Sequence, residues 1–131
     1  MTLLTASRPD QRQEGILIDV DLAPATKVFQ GSIVHTNAAG FAKKGGDNAA
    51  EKFAGVAMET ADSSIAAQSY VRVWKEGVFS FPCTGATQAW VGQDVFAVDD
   101  NVVALAATTT NDVRVGTVVK FVSTTEVRVK I

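Results

Sequence analysis

Residues 126–131 alternate strictly between charged and β-branched side chains, in the order EVRVKI. Neighbouring side chains of a β-strand point to opposite faces, so this run predicts a strand with one buried face and one solvent-exposed face. A second strand pattern covers residues 114–122. The three residues between the two patterns, Ser123-Thr124-Thr125, therefore predict a hairpin.

The composition favours β-structure throughout the chain. It contains 19 valines, 13 threonines and 5 isoleucines, but only 5 leucines. β-Branched side chains lose rotamer freedom in helices and pack well on pleated sheets, so these counts argue against a helical bundle. The 19 alanines leave room for some helix. No helical pattern of 10–15 residues alternates with the strand patterns, which argues against an α/β fold.

Further strand patterns recur between turn-forming residues. They cover residues 16–22, 28–29, 32–36, 53–59, 95–98 and 102–105. Residues 70–82 indicate either one long strand bent at Glu76-Gly77 or two short strands meeting at a bulge. Gly55 indicates a bulge or a close backbone approach. Eight to ten short strands with turns every 8–12 residues predict an all-β fold, either an antiparallel β-sandwich or a small barrel.

The chain of 131 residues has the length of one domain, which we assign to residues 15–131. We interpret the polar residues 1–14 as a flexible N-terminal arm, either a disordered end or a segment that orders on a partner. Loops are expected at residues 37–52, 61–69 and 83–92, the last as a loop or a single helical turn. The start lacks the apolar segment of a secretory signal, and no run of 18 apolar residues predicts a membrane helix.

The sequence contains few side chains of the types that act as nucleophiles or metal ligands in catalysis. His35 is the only histidine and Cys83 the only cysteine. We expect a structural or surface histidine and an inert thiol rather than a Cys–His dyad, because nothing local indicates a third orienting group. These two residues cannot form a four-ligand zinc site without carboxylates, and the calcium-loop and nucleotide-binding glycine motifs are absent. We therefore expect no catalytic residue, metal or cofactor, and the net charge of −2 gives no basic footprint for nucleic acid.

The aromatic residues suggest where contacts are made. The seven phenylalanines fall mostly in or beside strand patterns and are expected in the core. Trp90 lies in a loop, either as a plug over a barrel end or as an interface anchor. Trp74 shares the polar alternation of its strand and is expected to be exposed, as in a subunit contact. With Arg8, Asp10 and Arg12 of the arm, the two tryptophans are the candidate contacts to a partner or to another subunit.

The order of several segments resembles a known family. The segments are Gln30–Val34, Phe53–Glu59, Val71 with Val73, Glu76–Pro82, Gly92–Phe96, Val115–Val118 and Val127–Val129. Over residues 15–131 they are similar to the decoration or cement proteins of tailed-phage capsids. That family shares a Gly-Val-Ala segment, a Glu-Gly-Val-Phe-x-x-Pro segment, a Gly-Asp-Val-like segment and a late Val-Gly segment.

The resemblance implies a structural role without catalysis. A protein of this kind binds the outer surface of the assembled capsid and bridges subunits of the major capsid protein, commonly as a symmetric oligomer. We therefore expect a homo-oligomer, a trimer or a dimer, located on the virion after assembly in the host cytoplasm, without contact to nucleic acid or membrane. The alternative is another virion module, such as a tail, spike or fibre component. An enzyme that uses Cys83 and His35 is the third hypothesis.

Overall fold

The computed structural model describes residues 6, 15–65 and 68–131. In these residues the chain forms twelve strands and one single-turn 3-10 helix. The strands are β1 (Leu17–Asp21), β2 (Lys27–Val28), β3 (Ile33–Thr36), β4 (Ala42–Lys44), β5 (Lys52–Ala57), β6 (Ala61–Asp62), β7 (Tyr70–Trp74), β8 (Val78–Pro82), β9 (Asp94–Ala97), β10 (Val103–Ala104), β11 (Arg114–Ser123) and β12 (Glu126–Lys130). The helix spans Gln88–Trp90, inside the segment for which the sequence predicts a loop or a helical turn.

The first sheet is antiparallel and curls into a half-barrel, in the strand order β1-β7-β5-β3-β4. Directly after β1, Leu22 forms a parallel bridge with Ala42 of β4, at the opposite edge. The backbone N–H of Ala23 donates to the carbonyl of Ala42 at 2.9 Å. The chain after β1 therefore meets the far edge of its own sheet. Small aliphatic side chains fill the inside: Leu22, Val28, Val34, Ala42, Ala54, Ala57, Ala61, Val71 and Val73.

The second sheet is flat and also antiparallel, in the order β10-β9-β11-β12-β8. Its strand β12 lies between β11 and β8. Val127 and Val129 of β12 are fully buried, whereas Arg128 and Lys130 are exposed. The alternation at residues 126–131 is thus confirmed, as is the hairpin between β11 and β12.

The two sheets share a core through the outer face of the half-barrel. On β3, Ile33 packs into the core of the flat sheet, while its neighbour Val34 points into the half-barrel. On β5, Val56 likewise packs into the core of the flat sheet, and Ala57 points into the half-barrel. Since successive side chains alternate in direction, both faces of these two strands are buried. The structure thus combines the two architectures that the sequence left open.

Residues 70–82 form two strands in different sheets. β7 pairs with β1 and β5 in the half-barrel sheet, and β8 pairs with β12 in the flat sheet. Between them, Gly77 has a φ of +137°, which L side chains rarely adopt. The segment therefore forms two short strands and not one long strand, but the two strands lie in different sheets and do not meet at the predicted bulge.

Gly55 marks both a bulge and a close approach, as predicted. The pairing of β3 with β5 shifts between Val34↔Gly55 and His35↔Phe53. The φ of Gly55 is +150°, and a Cβ there would clash with the backbone carbonyl oxygen of Trp74. Only glycine fits where β5 and β7 come this close.

Two short strands, β4 and β6, lie where the sequence predicts no strand. β4 lies within residues 37–52, for which a loop was predicted, and β6 begins the segment 61–69, where a connection was expected. β4 reads Ala-Lys-Lys with only Ala42 buried, so it carries no alternation to detect. It forms because its backbone pairs with β3, a tertiary effect that side-chain patterns do not record. Because such short strands leave no pattern in the sequence, the described residues contain twelve strands and not the predicted eight to ten.

Candidate functional site

The only histidine belongs to a buried polar cluster beside β3. The side chain of His35 is fully buried, and its Nδ1 lies 3.1 Å from Oε1 of Glu51. Lys43 Nζ contacts the other carboxylate oxygen at 2.5 Å, and Asn48 Nδ2 donates to Oε1 at 3.2 Å. Glu51 thereby ties the loop before β5 to both β3 and β4. Of the two predicted alternatives, a structural or a surface histidine, the burial of His35 supports the structural one.

The environment keeps His35 neutral and Glu51 ionised. Burial lowers the pKa of His35 from its ordinary value of 6.5, and this outweighs the hydrogen bond to Glu51, which raises the pKa. Nδ1 lies within hydrogen-bond distance of Glu51 Oε1 and also accepts from the backbone N–H of Gly46 at 3.4 Å, while Nε2 has no hydrogen-bond partner among the described residues. Burial raises the pKa of Glu51, but the hydrogen bonds from Lys43, His35 and Asn48 together bring it below its ordinary value.

Cys83 lies in the core of the flat sheet, apart from this cluster. It is 5% exposed, and its Sγ donates weakly to the carbonyl of Thr124 at 3.9 Å. Burial is the main reason that the thiol pKa is raised, which disfavours the nucleophilic thiolate. Within the described residues, His35 bonds to Glu51 and Cys83 to Thr124, and no hydrogen bond joins the two. The dyad hypothesis therefore has no support in the geometry.

Residues 15–65 and 68–131 contain no group of three or more histidine, cysteine, aspartate or glutamate side chains placed to hold a metal ion. In the same part of the chain, no helix is long and apolar enough to cross a membrane.

The two tryptophans are half buried and pack against the core of the flat sheet. Trp74 stands opposite Leu17 and Val56, on the outer face of the half-barrel. The flat sheet covers this face at Trp74, so the expectation of an exposed ring is wrong. Trp90 ends the 3-10 helix. Arg8, Asp10 and Arg12 lie outside the described residues.

Phe29 is the most exposed large hydrophobic side chain of the described residues, at 56%. The Nζ of Lys27 lies 4.9 Å from the centre of its ring, a cation–π contact. The expectation that all phenylalanines lie in the core is wrong here and at Phe41. β2 has only two residues, and because Val28 points into the half-barrel, its neighbour Phe29 is directed outward. The change of direction between Val28 and Phe29 follows from strand alternation, but two residues are too few for a pattern to be recognised in the sequence.

Two shallow surface grooves meet at Phe29. One, of about 340 Å³, is also lined by Ala25, Thr26, Lys27, Lys43 and Lys44. The other, of about 210 Å³, is also lined by Gln30, Gly31, Ser32, Asp100 and Asn101. We call Phe29 with these two grooves the Phe29 patch. An exposed aromatic ring beside grooves and cations resembles the energetic centre of a protein–protein interface, where aromatic anchors dominate the affinity.

The described residues thus present an exposed aromatic patch, whereas His35 and Cys83 are buried. A sequence model of the phage cement protein family matches residues 12–131, nearly the whole chain. The chain belongs to the phage cement protein family. Comparisons with curated proteins and with solved structures find no match. As a cement protein it is a structural component associated with the phage capsid, and the resemblance noted in the sequence is confirmed.

We predict that His35 makes the cement protein acid-labile in the pH window that begins near its ordinary pKa of 6.5 and extends down to its lower folded-state pKa. The folded-state pKa of His35 lies below 6.5, so the unfolded chain takes up its proton first as the pH falls. The free energy of unfolding should therefore be highest above this window and fall as the pH is lowered through it. A further loss follows only below about pH 4.5, where Glu51, Asp47, Glu59, Asp62 and Asp94 take up protons, since the pKa of each is lowered in the folded state. Urea unfolding followed by tryptophan fluorescence at stepped pH measures both.

The control is His35→Gln, because the chain has no other histidine. This variant should lose the slope in that window, whatever its absolute stability. An unchanged slope in His35→Gln, or a wild type that gains stability on acidification, would contradict the assignment.

Proposed function

We propose that this protein binds the outer surface of the assembled phage capsid and stabilises it by bridging subunits of the major capsid protein. The family match over residues 12–131 is the observation that carries the proposal. A protein that binds the assembled lattice but not the separate subunits shifts the assembly equilibrium toward the lattice by mass action. Such a protein needs rigid surfaces of defined shape and no reaction centre.

The folded domain is suited to holding neighbouring capsid subunits together. The half-barrel and the flat sheet bury aliphatic side chains on both sides of β3 and β5, which joins the sheets into one core. We further propose that the protein is not an enzyme. The burial of Cys83 and the involvement of His35 in the cluster with Glu51 support this, because neither side chain is exposed to a substrate.

We assign the capsid contacts to three parts of the molecule. The first is the Phe29 patch, which combines an exposed ring with cations. The second is the pair Trp74 and Trp90, whose rings keep part of their surface accessible. The third is the arm, with Arg8, Asp10 and Arg12, which we propose adds a strand to a capsid sheet edge through main-chain hydrogen bonds. Self-association as a dimer or trimer would multiply these contacts.

Co-sedimentation tests this function directly. Capsids that lack the protein are compared with unassembled major capsid protein, and each is mixed with the full chain and with a chain of residues 15–131. We expect the full chain to pellet with capsids, to raise the temperature at which they break open, and to leave unassembled subunits unbound. The shortened chain should bind capsids more weakly. Equal binding to unassembled subunits, or binding to isolated tails instead of capsids, would contradict the proposal.

We predict that Phe29→Ser weakens capsid binding by about tenfold or more, because truncating an aromatic anchor at an interface centre typically costs about 2 kcal/mol. Phe41→Ser is the matched control: Phe41 is also exposed, at 42%, but it lines neither groove of the patch. Titration of labelled protein onto capsids gives both affinities, and circular dichroism checks the fold of each variant. If Phe41→Ser lost as much affinity as Phe29→Ser, the patch would not be the anchor.

A further inference from the structure

The outer face of the flat sheet carries a row of cations at its centre. Arg128 on β12 stands directly opposite Lys120 of β11 on one side and Ser80 of β8 on the other. Lys130, two residues along β12, stands opposite Val78 of β8. All of these side chains are exposed, since the intervening Val127 and Val129 point into the core. We call this surface the basic sheet face.

Within the described residues, no carboxylate forms a salt bridge with this row. Lys120, Arg128 and Lys130 form no salt bridge there, although four other ion pairs do occur. Asp94, at the other side of β11, is paired with Arg114 at 3.2 Å. Glu126 lies two residues before Arg128 and is not bonded to it.

The cation row disfavours folding. Like charges directly opposite each other on a sheet are destabilising, and Lys120 and Arg128 are such a pair. The whole chain is slightly acidic, with a net charge of −2, so a basic composition does not explain the cluster. A partner that brings carboxylates to this face would remove the repulsion and gain charge-assisted hydrogen bonds, which arginine forms in bidentate geometry.

Apolar side chains are interspersed with these charges. Val78 is 54% exposed, and Val119 and Val122 of β11 are 43% and 41% exposed. Both valines of β11 lie at irregularities in its pairing with β12. Exposed aliphatic side chains contribute nothing to binding a phosphate backbone, but they are buried favourably against another protein surface. The mixture therefore fits a protein that presents carboxylates between apolar side chains.

We propose that the basic sheet face docks on a carboxylate-bearing, partly apolar patch of the capsid surface. This inference rests on the proposed function and adds to it a second contact, separate from the Phe29 patch. Bridging needs two such surfaces on one molecule. The basic sheet face lies on the side of the flat sheet turned away from the shared core, whereas the Phe29 patch borders β2 and the turn between β9 and β10.

The test is the double variant Lys120→Thr/Arg128→Thr in the full chain, with Lys52→Thr as the control. Lys52 is an exposed lysine at the start of β5, in the other sheet. Threonine suits a strand, so the fold is retained. We expect the double variant to bind capsids at least tenfold more weakly and with a smaller salt dependence. It should also unfold at the same or a higher urea concentration than the wild type, because the like-charge pair is gone. Lys52→Thr should bind as the wild type does, and the charge-preserving swap Lys120→Arg/Arg128→Lys should bind capsids more tightly than the double threonine variant, because it keeps both cations on this face.

Three results would overturn the inference. The first is wild-type capsid affinity in the double variant while the wild type itself binds capsids. The second is loss of self-association by the double variant in analytical ultracentrifugation, which would identify a second copy of the chain as the occupant. The third is binding of the wild type to duplex DNA as tightly as to capsids. A wild type that fails to bind capsids in the same experiment would instead refute the proposed function, on which this inference depends.

Discussion

Burial of both faces of β3 and β5 is the constraint on which the rest of the structure depends. Ile33 and Val56 fix the flat sheet to the outside of the half-barrel, while Val34 and Ala57 fill its inside. A strand buried on both sides tolerates neither a shift in register nor a polar substitution, because either change would place the wrong side chains in a core. The bulge at Gly55 belongs to the same pairing and sets the distance to β7.

The buried polar cluster follows from this arrangement. His35 continues the face of β3 that carries Ile33, beyond the area that aliphatic side chains cover, and Glu51 with Lys43 supplies the hydrogen bonds that a buried polar group requires. The hydrogen bond between His35, the only histidine, and Glu51 therefore anchors the loop before β5 to β3. The surface, in contrast, carries side chains that the fold does not need. Phe29 gains only a cation–π contact with Lys27, and Lys120 repels Arg128. For a member of a cement family, such features are best explained by a partner.

Much of the fold could be predicted from local alternation. Wherever a strand has one buried and one exposed face, as in β12, its period of two is visible in the sequence. The turn between β9 and β10 was also predictable, because the Asp99 carboxylate accepts the N–H groups of Asn101 and Val102 at 2.8 and 2.7 Å. β4 was not predictable, since three residues with one buried alanine carry no pattern.

The candidate contacts were less accessible to sequence reasoning than the strands. The alternation of β7 correctly placed Trp74 on the face opposite Val71 and Val73, but only tertiary packing covers that face with the flat sheet. Phe29 follows a two-residue strand, and the basic sheet face arises from three strands brought side by side. Lys120 and Arg128 are eight residues apart in the sequence, and only the register of the hairpin, with its two irregularities, makes them direct neighbours.

Imaging of purified virions tests the central claim, attachment to the capsid lattice, most directly. Particles with the protein are compared by electron cryo-microscopy with particles from which it has been removed. We expect extra density of the size of this domain, repeated over the outer capsid surface between neighbouring capsid subunits. Difference density confined to the tail, a spike or a fibre, with a bare capsid lattice, would contradict it.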